Sequence, residues 1–94
     1  MADISIKQEH QLTLQESKDA AQKVADKMAA EFDMTTRWEG DTLSFKRSGV
    51  AGTLALREKE AQIDITLDFL FKAFASTLQE KVARNMAKFF SETA

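Results

Sequence analysis

The opening of the chain alternates, with Ile4 and Ile6 pointing one way and Asp3, Ser5 and Lys7 the other. That period predicts a short strand with one buried face. Thr13 followed by Glu16 has the form of a capping box and predicts the start of a helix. Leu14, Ala21, Val24, Ala25, Met28, Ala29 and Phe32 then recur at helical spacing, while Lys18, Gln22, Asp26 and Lys27 mark the opposite face. An amphipathic helix of about five turns results. Its alanines let it lie close to whatever it covers.

The middle of the chain predicts a meander whose register follows from its turns. Gly40-Asp41, a type II′ turn, pairs Trp38 with Leu43 and Thr36 with Phe45. Ser48-Gly49 pairs Arg47 with Val50, Phe45 with Gly52 and Leu43 with Leu54. A turn at Glu58-Lys59 pairs Leu56 with Ala61, Leu54 with Ile63 and Gly52 with Ile65. In this register Trp38, Leu43, Phe45, Val50, Leu54, Leu56, Ile63, Ile65 and Leu67 share one face. Arg37, Ser44, Lys46, Ala51, Thr53, Ala55, Gln62, Asp64 and Thr66 share the other. A slip of one residue would destroy that agreement.

After Asp68 the alternation gives way to Phe69-Leu70-Phe71-Lys72-Ala73-Phe74. A second helix follows, with Phe74, Leu78, Val82, Met86 and Phe89 or Phe90 on one stripe. Lys81, Arg84 and Lys88 lie towards its C-terminal half, where they complement the helix dipole. The order is therefore β-α-β-β-β-β-α: an α+β fold with a five-stranded antiparallel sheet and two helices packed on one face. The first strand is expected antiparallel beside the fifth, with a parallel pairing to the second as the competing topology.

Composition narrows the chemistry. Ninety-four residues, 44% hydrophobic and 30% charged, suit a single folded domain spanning residues 1–94. The absence of cysteine and the single histidine leave no disulfide, thiolate nucleophile or self-contained zinc cluster. Neither a cofactor nor a metal is expected. A net charge of −2 and a pI near 5.4 disfavour nucleic acid, although Arg37, Trp38, Lys46 and Arg47 gather around one hairpin. Trp38 takes the buried phase there and reads as core. No run approaches the ~20 apolar residues of a membrane span. Met1-Ala2-Asp3-Ile4 lacks a signal-peptide pattern, so a cytoplasmic address is expected.

Enzymatic readings fare poorly. Asp64 and Asp68 share a strand face but stand ~13 Å apart along it, beyond the ~5–9.5 Å of paired glycosidase carboxylates. His10, in the polar stretch Glu9-His10-Gln11, reads as a surface side chain without a nucleophile near it. No glycine-rich phosphate loop is present. The chain is not expected to be an enzyme.

The residues also carry a resemblance. Met1-Ala2-Asp3-Ile4-Ser5-Ile6, Arg37-Trp38-Glu39-Gly40-Asp41-Thr42-Leu43, Phe45-Lys46-Arg47-Ser48-Gly49-Val50 and the region of Phe74 and Leu78 resemble the polyhydroxyalkanoic acid system family. These are small bacterial proteins associated with polyhydroxyalkanoate storage and its granules. The resemblance extends over nearly the whole chain and implies a biological setting, with no catalytic motif to carry over. A typical phasin, mostly helical and without this meander, is a different pattern.

Three functional readings follow. The first is an accessory protein that binds a polyhydroxyalkanoate granule, or a granule-associated protein, through Phe69, Leu70, Phe71 and Phe74. If that segment continues the strand, Phe69 and Phe71 share the buried phase; if it starts the helix, Phe71 and Phe74 share a side. Leu70 is displaced outward either way. The plainer alternative tucks all the rings under the second helix. The second reading is a small carrier of a hydroxyacyl or other apolar ligand in a sheet–helix pocket. The third is a homodimer that buries this segment or pairs a sheet edge. Met86, Phe89 and Phe90 of the tail are candidates either to extend the apolar segment or to serve such a dimer.

Overall fold

The structure, a computed structural model, describes residues 3–91. Met1 and Ala2, which belong to the stretch read for a leader and for the resemblance, lie outside the described residues. The elements run β1 (Ile4–Glu9), α1 (Leu14–Phe32), β2 (Thr35–Glu39), β3 (Thr42–Arg47), β4 (Val50–Arg57), β5 (Glu60–Leu67), a 3₁₀ turn (Phe71–Phe74) and α2 (Ala75–Ser91). The sheet order is β1-β5-β4-β3-β2, antiparallel throughout. The parallel alternative for β1 is thereby ruled out.

Every hairpin pair read from the turns is present, including Trp38 with Leu43, Phe45 with Gly52, Leu54 with Ile63 and Leu56 with Ala61. Gly40 has φ +61°, as the first central position of a type II′ turn requires. At Gly52 the missing side chain is replaced by the Phe45 ring, which lies where a Cβ would stand. Asp3 closes the far end of the β1–β5 pair: its Oδ2 accepts the Leu67 N–H at 2.7 Å.

Thr13 caps α1 in both directions. Its hydroxyl accepts the Glu16 N–H at 3.1 Å, and the Glu16 carboxylate accepts the Thr13 N–H at 3.0 Å. The buried line of α1 passes through Ser17, Ala20, Ala21, Val24, Ala25 and Met28. Leu14, expected on that stripe, is 54% exposed in the first turn, where the small Ser17 takes the buried position. α2 seats Leu78, Val82, Met86 and Phe90 in the same core as the sheet residues Ile4, Leu43, Phe45, Leu54, Ile63 and Ile65. Met86 and Phe90 are fully buried and so are no part of a dimer surface.

Two side chains sit differently from expectation. Trp38 has the phase read for it but is only half-buried, because β2 is an edge strand with no further strand beyond it. Its indole N–H donates to Gln22 Oε1 at 2.8 Å, and the Lys18 ammonium lies 5.9 Å from its ring centroid. His10 is buried rather than on the surface, at 5% exposure. Its ring stacks on Phe90 with centroids 5.4 Å apart, and Nδ1 accepts the Leu12 N–H at 3.1 Å. Burial pushes the imidazole below its ordinary pKa of 6.5, outweighing the Glu60 main chain, which pulls the other way.

Candidate functional site

The apolar segment after β5 is set by its main chain. The Asp68 N–H donates to the Gly49 carbonyl at 2.9 Å, which ties the end of β5 to the β3–β4 turn. Asp68 Oδ1 then accepts the Phe71 N–H at 3.0 Å, and its carbonyl accepts the Lys72 N–H at 3.1 Å. The strand therefore stops at Leu67 and the chain folds back at once into the 3₁₀ turn. Phe69 and Leu70 fall on the outside of that reversal.

The result is a ridge. Phe69 is 87% exposed, Leu70 71% and Phe74 61%. With Leu14 they are the exposed large hydrophobic residues among those described, so three of the four fall within one short segment. Scattered exposed leucines are ordinary, whereas these three side chains stand out from water-facing positions within six residues of one another. Phe71 behaves differently and is half-buried against the core. Its ring fills the space beside Gly49, where a Cβ would come within 2.7 Å of it, and Gly49 itself has φ +87°.

Neither sequence reading of the segment holds completely. Phe69 does not follow the strand phase inward, because the strand has already ended. Phe71 and Phe74 do share a side, as three residues per turn in a 3₁₀ helix requires. Phe74, however, lies on the open wall of a cleft and outside the buried stripe of α2.

That cleft, about 240 Å³ in volume, opens behind the ridge. Phe32, Met34, Val50, Phe71 and Leu78 form its walls, with Phe74, Thr77 and Arg47 beside them. Met34 reaches it because Asp33 turns the chain sharply after α1, with φ +57° and ψ +48°. Arg47 holds one side through three contacts. Its Nη1 donates to the Phe32 carbonyl at 2.8 Å, Nε donates to the Ser48 carbonyl at 3.3 Å, and the guanidinium lies 5.0 Å from the Phe71 ring centroid. The sequence carried a sign of this. In the meander register Arg47 falls two residues after Phe45 and opposite Val50, a cation in the apolar phase. Phe32 and Met34 gave no comparable signal.

Other polar candidates gather on the open sheet face, where Arg37, Ser44, Lys46, Thr53, Asp64 and Thr66 line a shallow concavity of about 1020 Å³. Asp64 lies on the open sheet face, accepting hydrogen bonds from Ser5 Oγ at 2.6 Å and from Gln62, while Asp68 caps the 3₁₀ turn. Arg37 and Lys46 are exposed on that open face, and Trp38 has the opposite phase. No group of three or more potential metal ligands exists among the described residues. No helix among them is long and apolar enough to cross a membrane.

A protein-family model described as "Putative polyhydroxyalkanoic acid system protein" matches residues 4–90. The chain belongs to that family, as its resemblance implied. No curated protein and no solved structure matches it.

Proposed function

Starting from this membership, we propose that the chain is a non-enzymatic accessory protein of polyhydroxyalkanoate storage in the bacterial cytoplasm, attached to the apolar surface of the polyester granule. The observation that carries this is the ridge of Phe69, Leu70 and Phe74, held out by a turn that Asp68 caps. Removing these side chains from water against an apolar polymer is favourable and needs no specific partner geometry. Fixed by the Asp68 bonds and by Phe71 packed inside, the ridge loses little conformational freedom on contact.

A homodimer closed through this ridge alone is less well supported. Its two exposed rings and Leu70 together offer on the order of 400 Å², against about 800 Å² per partner in an interface of standard size. The test is co-sedimentation of the purified protein with protein-free polyhydroxyalkanoate granules in low and high salt. Saturable attachment that survives high salt is the expected result, because apolar contact is little screened. No attachment in either salt would overturn direct binding and leave a granule-associated protein as the partner.

A further inference from the structure

Both helices pack on one face of the sheet, and the register sorts the charges of the face they leave open. Three rows of outward side chains cross that face. In the first, Glu39 on β2 lines up through Thr42, Ala55 and Gln62 with Lys7 on β1. In the second, Arg37 on β2 lines up through Ser44 and Thr53 with Asp64 and then Ser5, whose hydroxyl donates to the Asp64 carboxylate at 2.6 Å. In the third, Lys46 on β3 lines up through Ala51 with Thr66 on β5. Lys7, Arg37, Glu39 and Lys46 are exposed, and among the described residues none of the four forms an ion pair. The middle of the face is low, because β4 turns only Ala51, Thr53 and Ala55 outward between these rims.

Such a face is complementary to a copy of itself. A twofold axis laid along β4 exchanges β1 with β2 and β5 with β3, and keeps each row at its own height. Glu39 then meets Lys7 of the second copy, Lys7 meets its Glu39, and Arg37 meets its Ser5–Asp64 pair, every contact occurring twice. An axis laid across the strands along the Arg37 row would instead set Arg37 on Arg37 and Asp64 on Asp64. Of the charged residues Arg57 alone comes opposite itself, at the rim, where Glu60 already accepts its N–H at 3.2 Å. We infer that the open sheet face is the interface of a homodimer, its twofold axis along β4 and its ion pairs Glu39–Lys7 and Arg37–Asp64. Small central side chains let two sheets approach to about 10 Å. At about 4.8 Å between strands and 3.4 Å per residue, the face spans roughly 500 Å² before side-chain relief, which suits a dimer at the lower end of interface sizes. A rotation about the strand direction leaves the strand ends in place. The two ridges therefore emerge at the same end of the dimer and can touch one surface together, a consequence that rests on the granule reading although the dimer does not.

The experiment is sedimentation velocity of the full chain at concentrations up to about 1 mM, in low and high salt. A dimer that weakens in high salt is expected, because its ion pairs lie towards the rim. Glu39→Lys and Lys7→Glu should each weaken it at least tenfold, since each sets like charges together twice. An equimolar mixture of the two variants, and the variant carrying both changes, should dimerise within threefold of the parent. Lys7 and Glu39 stand on opposite edges of the sheet, ~19 Å apart in one chain, so such rescue arises only between copies. Thr53→Arg, exposed and on the axis, should also weaken the dimer at least tenfold. A monomer at every concentration, a dimer indifferent to the charge swaps, or no rescue in the mixture would each overturn the interface. The Phe69→Ser/Leu70→Ser variant separates the two readings: it should lose granule attachment while dimerising like the parent, and loss of its dimer would move the contact to the ridge and overturn the sheet face.

Discussion

Replacing Phe69 and Leu70 together by serine tests whether the ridge is a contact surface or an incidental feature of the turn. Both side chains already stand mostly in water, so their loss should move folding stability by no more than about 0.5 kcal/mol. Attachment is another matter. A fully buried Phe or Leu is worth roughly 1.5–3 kcal/mol. Scaled by exposures of 87% and 71%, the pair contributes about 2.5–4.5 kcal/mol to contact with an apolar phase. That corresponds to a weakening of roughly 60-fold to 2000-fold. The assay is co-sedimentation with granules over a range of protein concentration, beside thermal melting of both proteins. Phe71→Ser provides the contrast: that ring is packed beside Gly49 and under Arg47, so its loss should lower the melting temperature. A double variant that melts like the parent and still binds granules with parental affinity would refute the reasoning.

Three further expectations rest on single contacts. Gly52→Ala puts a Cβ into the Phe45 ring and 2.8 Å from the Asp64 main-chain carbonyl, which cannot rotate away; denaturant unfolding should show a loss of about 1–3 kcal/mol. Thr13→Ala removes the acceptor of the Glu16 N–H and should cost about 1 kcal/mol in the same assay. His10 has a folded-state pKa lowered by burial, so the unfolded chain takes up its proton more readily. The stability this contributes is complete above pH 6.5 and is lost as pH falls through the lowered folded value. Unfolding measured across that interval should be less pH-dependent in His10→Phe, and an identical slope would exclude the histidine as its cause.

The meander was legible in the sequence because its two constraints are both local. A side-chain period of two and three short turns leave one register in which the apolar residues coincide, and the structure has that register. The helix cap was legible for the same reason, since Thr13 and Glu16 satisfy each other's main chain without help from elsewhere. The position of β1 beside β5 was the expected one of two topologies, and the sheet order decided between them.

The candidate site was legible only as a segment. Phe69, Leu70, Phe71 and Phe74 stand out as four large apolar residues in six, but their local sequence fits a strand, a helix or a buried connection. What chooses among these is the turn capped by Asp68 together with the packing of the Phe71 ring against Gly49 and Arg47, residues of another hairpin. Phe32 and Met34 join the cleft from the end of the first helix and Arg47 from the end of the third strand, and no periodicity links them.

His10 and Trp38 show the same division. Glu9-His10-Gln11 is polar and implies a surface loop, yet Phe90 arrives from the other end of the chain to cover the imidazole. Trp38 has the phase of a core residue, yet half of it stays uncovered because its strand is the last in the sheet. The sequence by itself determined which residues pair in the three hairpins, which face of each strand is apolar and where the first helix begins. The tertiary structure alone decided which of those faces is actually covered, because coverage depends on residues far away in the chain, whereas pairing and capping depend on neighbours.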